Sequence, residues 1–152
     1  YLPSLSIYFK QQIPIITVIK GLGYRLAIIT NKPARFVEPI LTGLGLQDLF
    51  ELILGGDSLK YKKPHPLPLT YACEQLGVTI ENSIMIGDSK NDIIAAKAAN
   101  FDSFGLTYGY NYGEDIAQYN RNGVLIRFLN LSPQYIAKYT LIASKYNGAG
   151  DL

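Results

Sequence analysis

Runs of apolar residues alternate along the chain with segments whose apolar positions recur at helical spacing. The apolar runs predict strands over residues 24–30, 50–54, 83–86 and 101–106. The helical spacing predicts helices over residues 14–22, 34–44, 66–76 and 92–99. Strands that alternate with helices are typical of a parallel sheet with crossover helices. The pattern therefore predicts an α/β fold.

This pattern weakens after residue 106. Residues 108–113 are rich in glycine and tyrosine and are expected to form a loop, and the periodicity from Val124 onward is ambiguous. With 152 residues and an apolar fraction of 48%, the chain is long enough to bury one core. No internal repeat and no second domain is evident, so residues 1–152 are expected to form a single domain.

The charge is nearly balanced, with 14 basic residues, 12 acidic residues and a net charge of +2. Neither sign forms a long run, which is typical of a solvated surface of mixed sign. The 12 tyrosines are scattered and are not accompanied by a basic stripe, which disfavours stacking on nucleic-acid bases. The sequence therefore predicts no nucleic-acid partner.

Several features predict a cytoplasmic location. The single cysteine, Cys73, excludes an internal disulfide and fits a reducing compartment, and its helical surroundings predict a packing role. No apolar stretch approaches the ~20 residues that a membrane span needs, so no membrane partner is expected. No basic region followed by an apolar one marks a signal peptide. The chain begins at Tyr1 rather than methionine, from which we expect a piece of a longer protein.

Three polar clusters each follow a predicted strand or its loop. Thr30 and Asn31 end the first strand, Lys63 lies in a lysine-rich loop after the second, and residues 87–92 follow the third. In open parallel sheets, ligands bind beyond the carboxyl ends of the strands. The three clusters are therefore expected to meet at one edge of the sheet.

Each cluster also has a purely structural explanation. Asp88 and Asp92 bring two carboxylates to a strand end, where oxygen ligands suit Mg²⁺, but they could equally cap a turn and a helix. Thr30 could help to hold phosphate oxygens, or it could end the strand and cap the next helix. Lys63 could neutralise a phosphate dianion or belong to a solvated loop. His65 is expected to be a structural or surface residue rather than a catalytic base.

Taken in order, the three clusters resemble the haloacid dehalogenase (HAD) superfamily. The resemblance covers residues 23–114 and implies a HAD-like, Rossmann-like parallel sheet with flanking helices. It also implies Mg²⁺-dependent hydrolysis of a small phosphate monoester. Four longer sequence segments resemble the phosphoglycolate phosphatase branch of this superfamily. They are Thr30-Asn31-Lys32-Pro33, Gly55-Gly56-Asp57-Ser58, Lys62-Lys63-Pro64-His65-Pro66 and Gly105-Leu106-Thr107-Tyr108-Gly109-Tyr110-Asn111.

The resemblance further implies a role for each matched residue. Thr30, helped by the backbone of Asn31, would bind the transferring phosphoryl group, and Lys63 would steady the phosphate and the charge of the nucleophile. Asp88 would bind Mg²⁺, with Asp92 as its supporting carboxylate. Such groups stabilise charge in phosphoryl transfer. The expected partner is a small phosphorylated metabolite, 2-phosphoglycolate in that branch, and the oligomeric state stays open.

The first motif of the superfamily, of Asp-x-Asp-Gly-Thr type, has no match in this sequence. No two aspartates are separated by one residue, and none precedes Thr30. The resemblance assigns the nucleophile, the general acid and base and two further Mg²⁺ ligands to that motif, and a helical cap after it. We therefore expect little or no phosphatase activity from this chain alone, and weak Mg²⁺ binding. The alternatives are a non-catalytic fragment, a phosphate-binding pseudoenzyme, or another HAD phosphatase or mutase.

The missing motif also predicts a gap in the sheet. The resemblance places its strand between those that end at Thr30 and Asp88, which would otherwise lie about 9.6 Å apart, twice the usual spacing. These two strands are expected to pair directly, to accept another strand between them, or to leave open edges that promote aggregation. Residues 6–9 are strand-like and are the local candidate for the position, although they carry no carboxylate.

Overall fold

The computed structural model describes residues 16, 17, 20, 21, 23–43, 45–87, 89–106, 124, 125 and 140–144. Residues 16, 17, 20 and 21 are helical. Three longer helices follow, α1 (Ala34–Gly43), α2 (Leu67–Leu76) and α3 (Lys90–Ala98). The strands are β1 (Ala27–Ile29), β2 (Leu52–Leu54), β3 (Ser83–Gly87), β4 (Asp102–Leu106), β5 (Val124–Leu125) and β6 (Thr140–Ser144).

The strands form one sheet in the order β2-β1-β6-β3-β4-β5, and every neighbouring pair is parallel. The predicted α/β fold with a parallel sheet is thereby confirmed. The four predicted strands and the helices over residues 34–44 and 66–76 are present, with ends that differ by up to three residues. The helix predicted over residues 92–99 begins at Lys90, because Ser89 rather than an aspartate caps it.

Strand β6 occupies the position between β1 and β3 that was predicted to be a gap. It pairs with β1 through Ala27↔Ile142 to Ile29↔Ser144, and with β3 through Ser83↔Thr140 to Ile86↔Ala143. Residues 6–9 were the predicted candidate for this position, and that prediction is wrong, because β6 fills it. Residues 6–9 themselves lie outside the described part of the chain. The run Leu141-Ile142-Ala143 suits a strand with neighbours on both sides, since central parallel strands read as continuous apolar runs.

Both faces of the sheet are buried at β1 and β3. One face packs against α2 and α3 in a cluster that includes Ala27, Ile29 and Met85. Side chains alternate between the faces of a strand, and the intervening residues Ile28 and Ile84 are buried as well. This two-sided burial is what an all-parallel sheet requires.

Cys73 belongs to the same core cluster, in agreement with the predicted packing role. Its Sγ lies 3.6 Å from Ser83 Oγ. Burial raises the pKa of the Cys73 thiol, which keeps it in the unreactive protonated form at neutral pH. Among the described residues, no helix is long and apolar enough to cross a membrane.

A candidate active site at the carboxyl edge of the sheet

The polar clusters that follow β1, β2 and β3 meet at one edge of the sheet. Because these strands run parallel, their carboxyl ends lie on the same side. Four of the predicted site residues are described there, and all four side chains are buried: Thr30, Asn31, Lys63 and Asp92. The fifth, Asp88, lies outside the described residues.

Lys63 is at the centre of this group. The residue is 1% exposed, although it lies in the loop that connects β2 to α2. Its Nζ donates to the carbonyl oxygen of Ile29 at 2.8 Å and to Asp92 Oδ1 at 2.5 Å. A solvated loop lysine would do neither, so the structural alternative considered for Lys63 is wrong. Its charge is held inside the protein beside a carboxylate.

Asp92 is positioned by the first turn of α3. The Ser89 hydroxyl accepts from the N–H of Asn91 at 3.2 Å, and Asp92 Oδ2 accepts from the N–H of Ser89 at 3.1 Å. These bonds form a capping box, in which Ser89 is the N-cap and Asp92 lies at the third helical position. Asp92 therefore takes part in capping the helix, as its structural alternative predicted, but from the third helical position and not as the N-cap residue. The pattern Ser-x-x-Asp was readable from the sequence, but the role of Ser89 was missed.

Asn31 holds the main chain of Lys63 through a reciprocal pair of hydrogen bonds. Asn31 Nδ2 donates to the carbonyl oxygen of Lys63 at 2.8 Å, and the N–H of Lys63 donates to Asn31 Oδ1 at 3.1 Å. The two residues are far apart in sequence, so this contact has no local signature. The sequence prediction assigned only the backbone of Asn31 a role.

Thr30 forms a local turn rather than a helix cap. Its hydroxyl accepts from the N–H of Lys32 at 3.1 Å, a common way for threonine to end a strand. The first N–H of α1, on Ala34, donates instead to Asp57 Oδ1 at 3.0 Å. This hydrogen bond holds the pKa of the Asp57 carboxyl below its usual range. Asp57 thus ties the loop after β2 to the helix after β1, a role that the sequence did not predict.

Two glycines allow the loops after β1 and β2 to approach each other closely. A Cβ on Gly56 would lie 2.1 Å from the carbonyl oxygen of Asn31, and one on Gly55 would lie 2.4 Å from the Ala34 nitrogen. The N–H of Gly56 also donates to the carbonyl oxygen of Lys32 at 2.9 Å. These glycines are needed for backbone contact and not for an unusual backbone conformation.

His65 is exposed and lies against its own loop, which confirms the prediction of a structural or surface residue. Its Nδ1 accepts from the N–H of Leu67 at 3.0 Å, at the start of α2. The imidazole also stacks on Tyr61, with ring centroids 4.4 Å apart. One of its two ring nitrogens is therefore engaged by the backbone.

The described residues alone do not form a magnesium cage. In that part of the chain, no three His, Cys, Asp or Glu side chains come together. Asp92 is the carboxylate at the site, and its two oxygens already accept from Lys63 and from the Ser89 N–H. Mg²⁺ takes six oxygen ligands in octahedral geometry, several of them usually water. Asp88, predicted to bind magnesium, lies outside the described residues, and this role stays a prediction.

The fold is therefore a parallel α/β sheet with a buried lysine and a buried aspartate at its carboxyl edge. The sequence profile of the haloacid dehalogenase-like hydrolases matches residues 6–106. The chain belongs to this family.

Comparison with individual proteins shows which members of the family the chain resembles. The chain is 71% identical over 101 residues to a phosphoglycolate phosphatase of Colwellia psychrerythraea, covering 66% of this chain and 45% of that protein. It is 54% identical over 102 residues to a phosphoglycolate phosphatase of Psychrobacter arcticus, covering 67% and 44%. The chain thus spans about half the length of the curated relatives it matches.

Solved structures give the same family. A crystal structure described as a predicted phosphoglycolate phosphatase of Haemophilus somnus matches with a TM-score of 0.69 and 46% identity, covering 72% of this chain and 48% of that one. The CbbY protein of Rhodobacter sphaeroides, in complex with phosphate, matches with a TM-score of 0.72 and 27% identity. That match covers 82% of this chain and 56% of the other.

Proposed function

We propose that this chain is the phosphate-binding part of a phosphatase that hydrolyses a small phosphate monoester, 2-phosphoglycolate. The observation that carries the proposal is the buried Lys63–Asp92 pair at the carboxyl edge of the sheet. Support comes from the relatives in Colwellia and Psychrobacter, which are phosphoglycolate phosphatases. The similar protein from Rhodobacter was crystallised with phosphate.

In this proposal, Lys63 supplies the positive charge for the phosphate. An ammonium held in a water-poor site by Asp92 and the Ile29 carbonyl needs little rearrangement when an anion arrives. Lysine acts on a phosphate as a compact point charge, in contrast to the planar fork of arginine. Thr30, at the end of β1, is proposed to contact the phosphoryl group from the same edge of the sheet.

The chain alone is proposed to lack turnover. Its sequence offers no pair of aspartates separated by one residue, and β6, which occupies the central position in the sheet, contains no carboxylate. Asp88 and Asp92 are proposed as the metal-binding carboxylates, and two carboxylates, one of them already bonded to a lysine, favour weak Mg²⁺ binding.

A second candidate function is phosphate binding without catalysis. The same absence of a paired aspartate favours it, because the described part of the site retains a buried cation while the sequence has no first motif. The two proposals share a ligand, a small phosphorylated metabolite, and differ in whether it is hydrolysed.

The deciding experiment is Mg²⁺-dependent phosphate release from 2-phosphoglycolate, with Asp88→Asn as the matched variant. Binding of inorganic phosphate is measured alongside by calorimetry. Phosphate binding without turnover supports both proposals, because each expects that result from this chain alone. Turnover that Asp88→Asn abolishes would show that another carboxylate replaces the missing nucleophile. No binding and no turnover from a folded chain would refute both proposals.

A further inference from the structure

The amide of Asn31 is arranged to hold another residue. Both of its functional atoms bond to the backbone of Lys63, one as donor at 2.8 Å and one as acceptor at 3.1 Å. Lys63 lies in a loop, so its N–H and C=O have no strand or helix to satisfy them. Buried backbone groups require partners, and an amide is suited to supply a donor and an acceptor together.

The main chain of Asn31 is itself fixed by the neighbouring loop. Gly56 approaches its carbonyl so closely that a Cβ would lie 2.1 Å from the oxygen. The adjacent N–H of Gly56 donates to the carbonyl of Lys32. Asn31, 5% exposed, therefore has little freedom to move, and a rigid amide can set the position of the residue it holds.

We infer that the side chain of Asn31 is a positioning group that acts through Lys63, and that its amide is not itself a ligand of the phosphate. The amide fixes the main chain of Lys63, which directs the side chain inward until Nζ reaches Asp92 Oδ1 and the Ile29 carbonyl. Loss of the amide leaves the Lys63 peptide without its partners and lets the ammonium move away from Asp92. The consequence for phosphate rests on the proposed function, whereas the geometry of Lys63 does not.

The first test reads Lys63 directly by NMR. In the wild-type chain, the backbone amide of Lys63 is expected to exchange with solvent at least about tenfold more slowly than that of its exposed neighbour Lys62. The side-chain ammonium of Lys63 is expected to give a slowly exchanging ¹⁵N signal. Equal exchange of the two amides would overturn the inference, and this measurement needs no variant.

Variants then separate positioning from stability. Asn31→Ala is expected to shift or broaden the Lys63 ammonium signal, while Asn82→Ala, at an exposed asparagine, leaves it in place. The methyl of Met85, the single methionine and fully buried, reports whether each variant is folded. An Asn31→Ala chain that keeps the Met85 signal and an unchanged Lys63 ammonium signal would overturn the inference, because a merely structural amide would give that result.

A double-mutant cycle on phosphate affinity completes the test. Asn31→Ala is expected to weaken binding of inorganic phosphate roughly tenfold, and to add little when Lys63 is already replaced by methionine. Full additivity would mean that Asn31 contacts phosphate independently of Lys63. If the wild-type chain binds no phosphate, the proposed function fails, while the Lys63 signals still decide whether Asn31 positions that lysine.

Discussion

The two residues of the buried ion pair, Lys63 and Asp92, are held in different ways. Asp92 is positioned by contacts within its own loop and helix, because Ser89 is its partner in a capping box. Lys63 is positioned by residues distant in sequence, Asn31 through its amide and Ile29 through its carbonyl. One half of the ion pair is therefore encoded locally, and the other depends on the assembled sheet.

This difference has a physical consequence for how the site forms. The first turn of α3 can adopt its geometry as soon as the helix forms, since every bond of the capping box spans a few residues. The Lys63 side requires β1 and β2 to be paired and the loops that follow them to be in contact. Damage to the sheet should therefore displace Lys63 before it displaces Asp92.

The largest effect is expected from breaking the ion pair. Asp92→Ala leaves the Lys63 ammonium buried without its carboxylate, and loss of one partner of a buried pair costs about 3–5 kcal/mol. Asp92→Asn should cost less, since the amide oxygen can still accept from the N–H of Ser89. Urea denaturation measures both free energies of unfolding. A cost below about 1 kcal/mol for Asp92→Ala would indicate that the ammonium reaches solvent.

The next effect concerns the contact between the two loops on the Lys63 side. Gly56→Ala places a Cβ against the backbone of Asn31, which cannot move without moving Lys63, and overpacking of this kind costs about 1–3 kcal/mol or more. Gly43→Ala is the control, because no atom lies within 4 Å of a Cβ there. Thermal unfolding should separate the two variants. Equal stabilities would show that the loops are not in contact.

A smaller effect is expected from the local side of the site. Ser89→Ala removes the N-cap of α3 and should cost about 1 kcal/mol in the free energy of unfolding. Ser89→Gly should cost less than Ser89→Ala, because glycine is also favoured at the N-cap and adds no charge beside Asp92. Urea denaturation of both variants is the measurement. A Ser89→Ala chain as stable as wild type would mean that α3 does not depend on this cap.

The smallest effect is expected on the stability of the folded chain at low pH. The N–H of Ala34 lowers the pKa of Asp57 in the folded chain, so the stability from this contact is present above the unfolded pKa of about 3.9. That stability is lost as the pH falls through the lower folded pKa. Asp57→Asn should therefore show a slightly shallower loss of stability below pH ~4 than wild type. The free energy of unfolding is measured by urea denaturation at several pH values below ~4. The same loss of stability in both chains would contradict the prediction.

The same comparison explains what the sequence could predict. Strand runs, the glycines after helices and the polar residues at strand ends are local signals. The fold class was therefore predictable, and so was the meeting of Thr30, Asn31, Lys63 and Asp92 at one edge of the sheet. Asp92 in a Ser-x-x-Asp pattern was readable in the same way. The hydrogen bonds from Asn31 to Lys63 and from Ala34 to Asp57 could not be predicted from the sequence. Each joins segments that become neighbours only after the sheet forms.

Strand β6 was the largest miss for a related reason. Its five residues, Thr140–Ser144, read as a short apolar run, and nothing local specifies which strands will flank it. Its place between β1 and β3 follows from the rest of the sheet, which leaves one central position to fill. Tertiary context, not local pattern, decides such a placement.

The position of β6 also sets the order in which the protein can be assembled. A ribosome delivers β1, β2, β3 and β4 long before residues 140–144, yet among the described strands β6 is the one that joins β1 to β3. Until it emerges, the nascent chain holds two separate sheet fragments with exposed edges, the kind of species that chaperones protect. Closing the sheet then requires contacts between residues 27–29 and 142–144, a non-local pairing of the kind that slows folding.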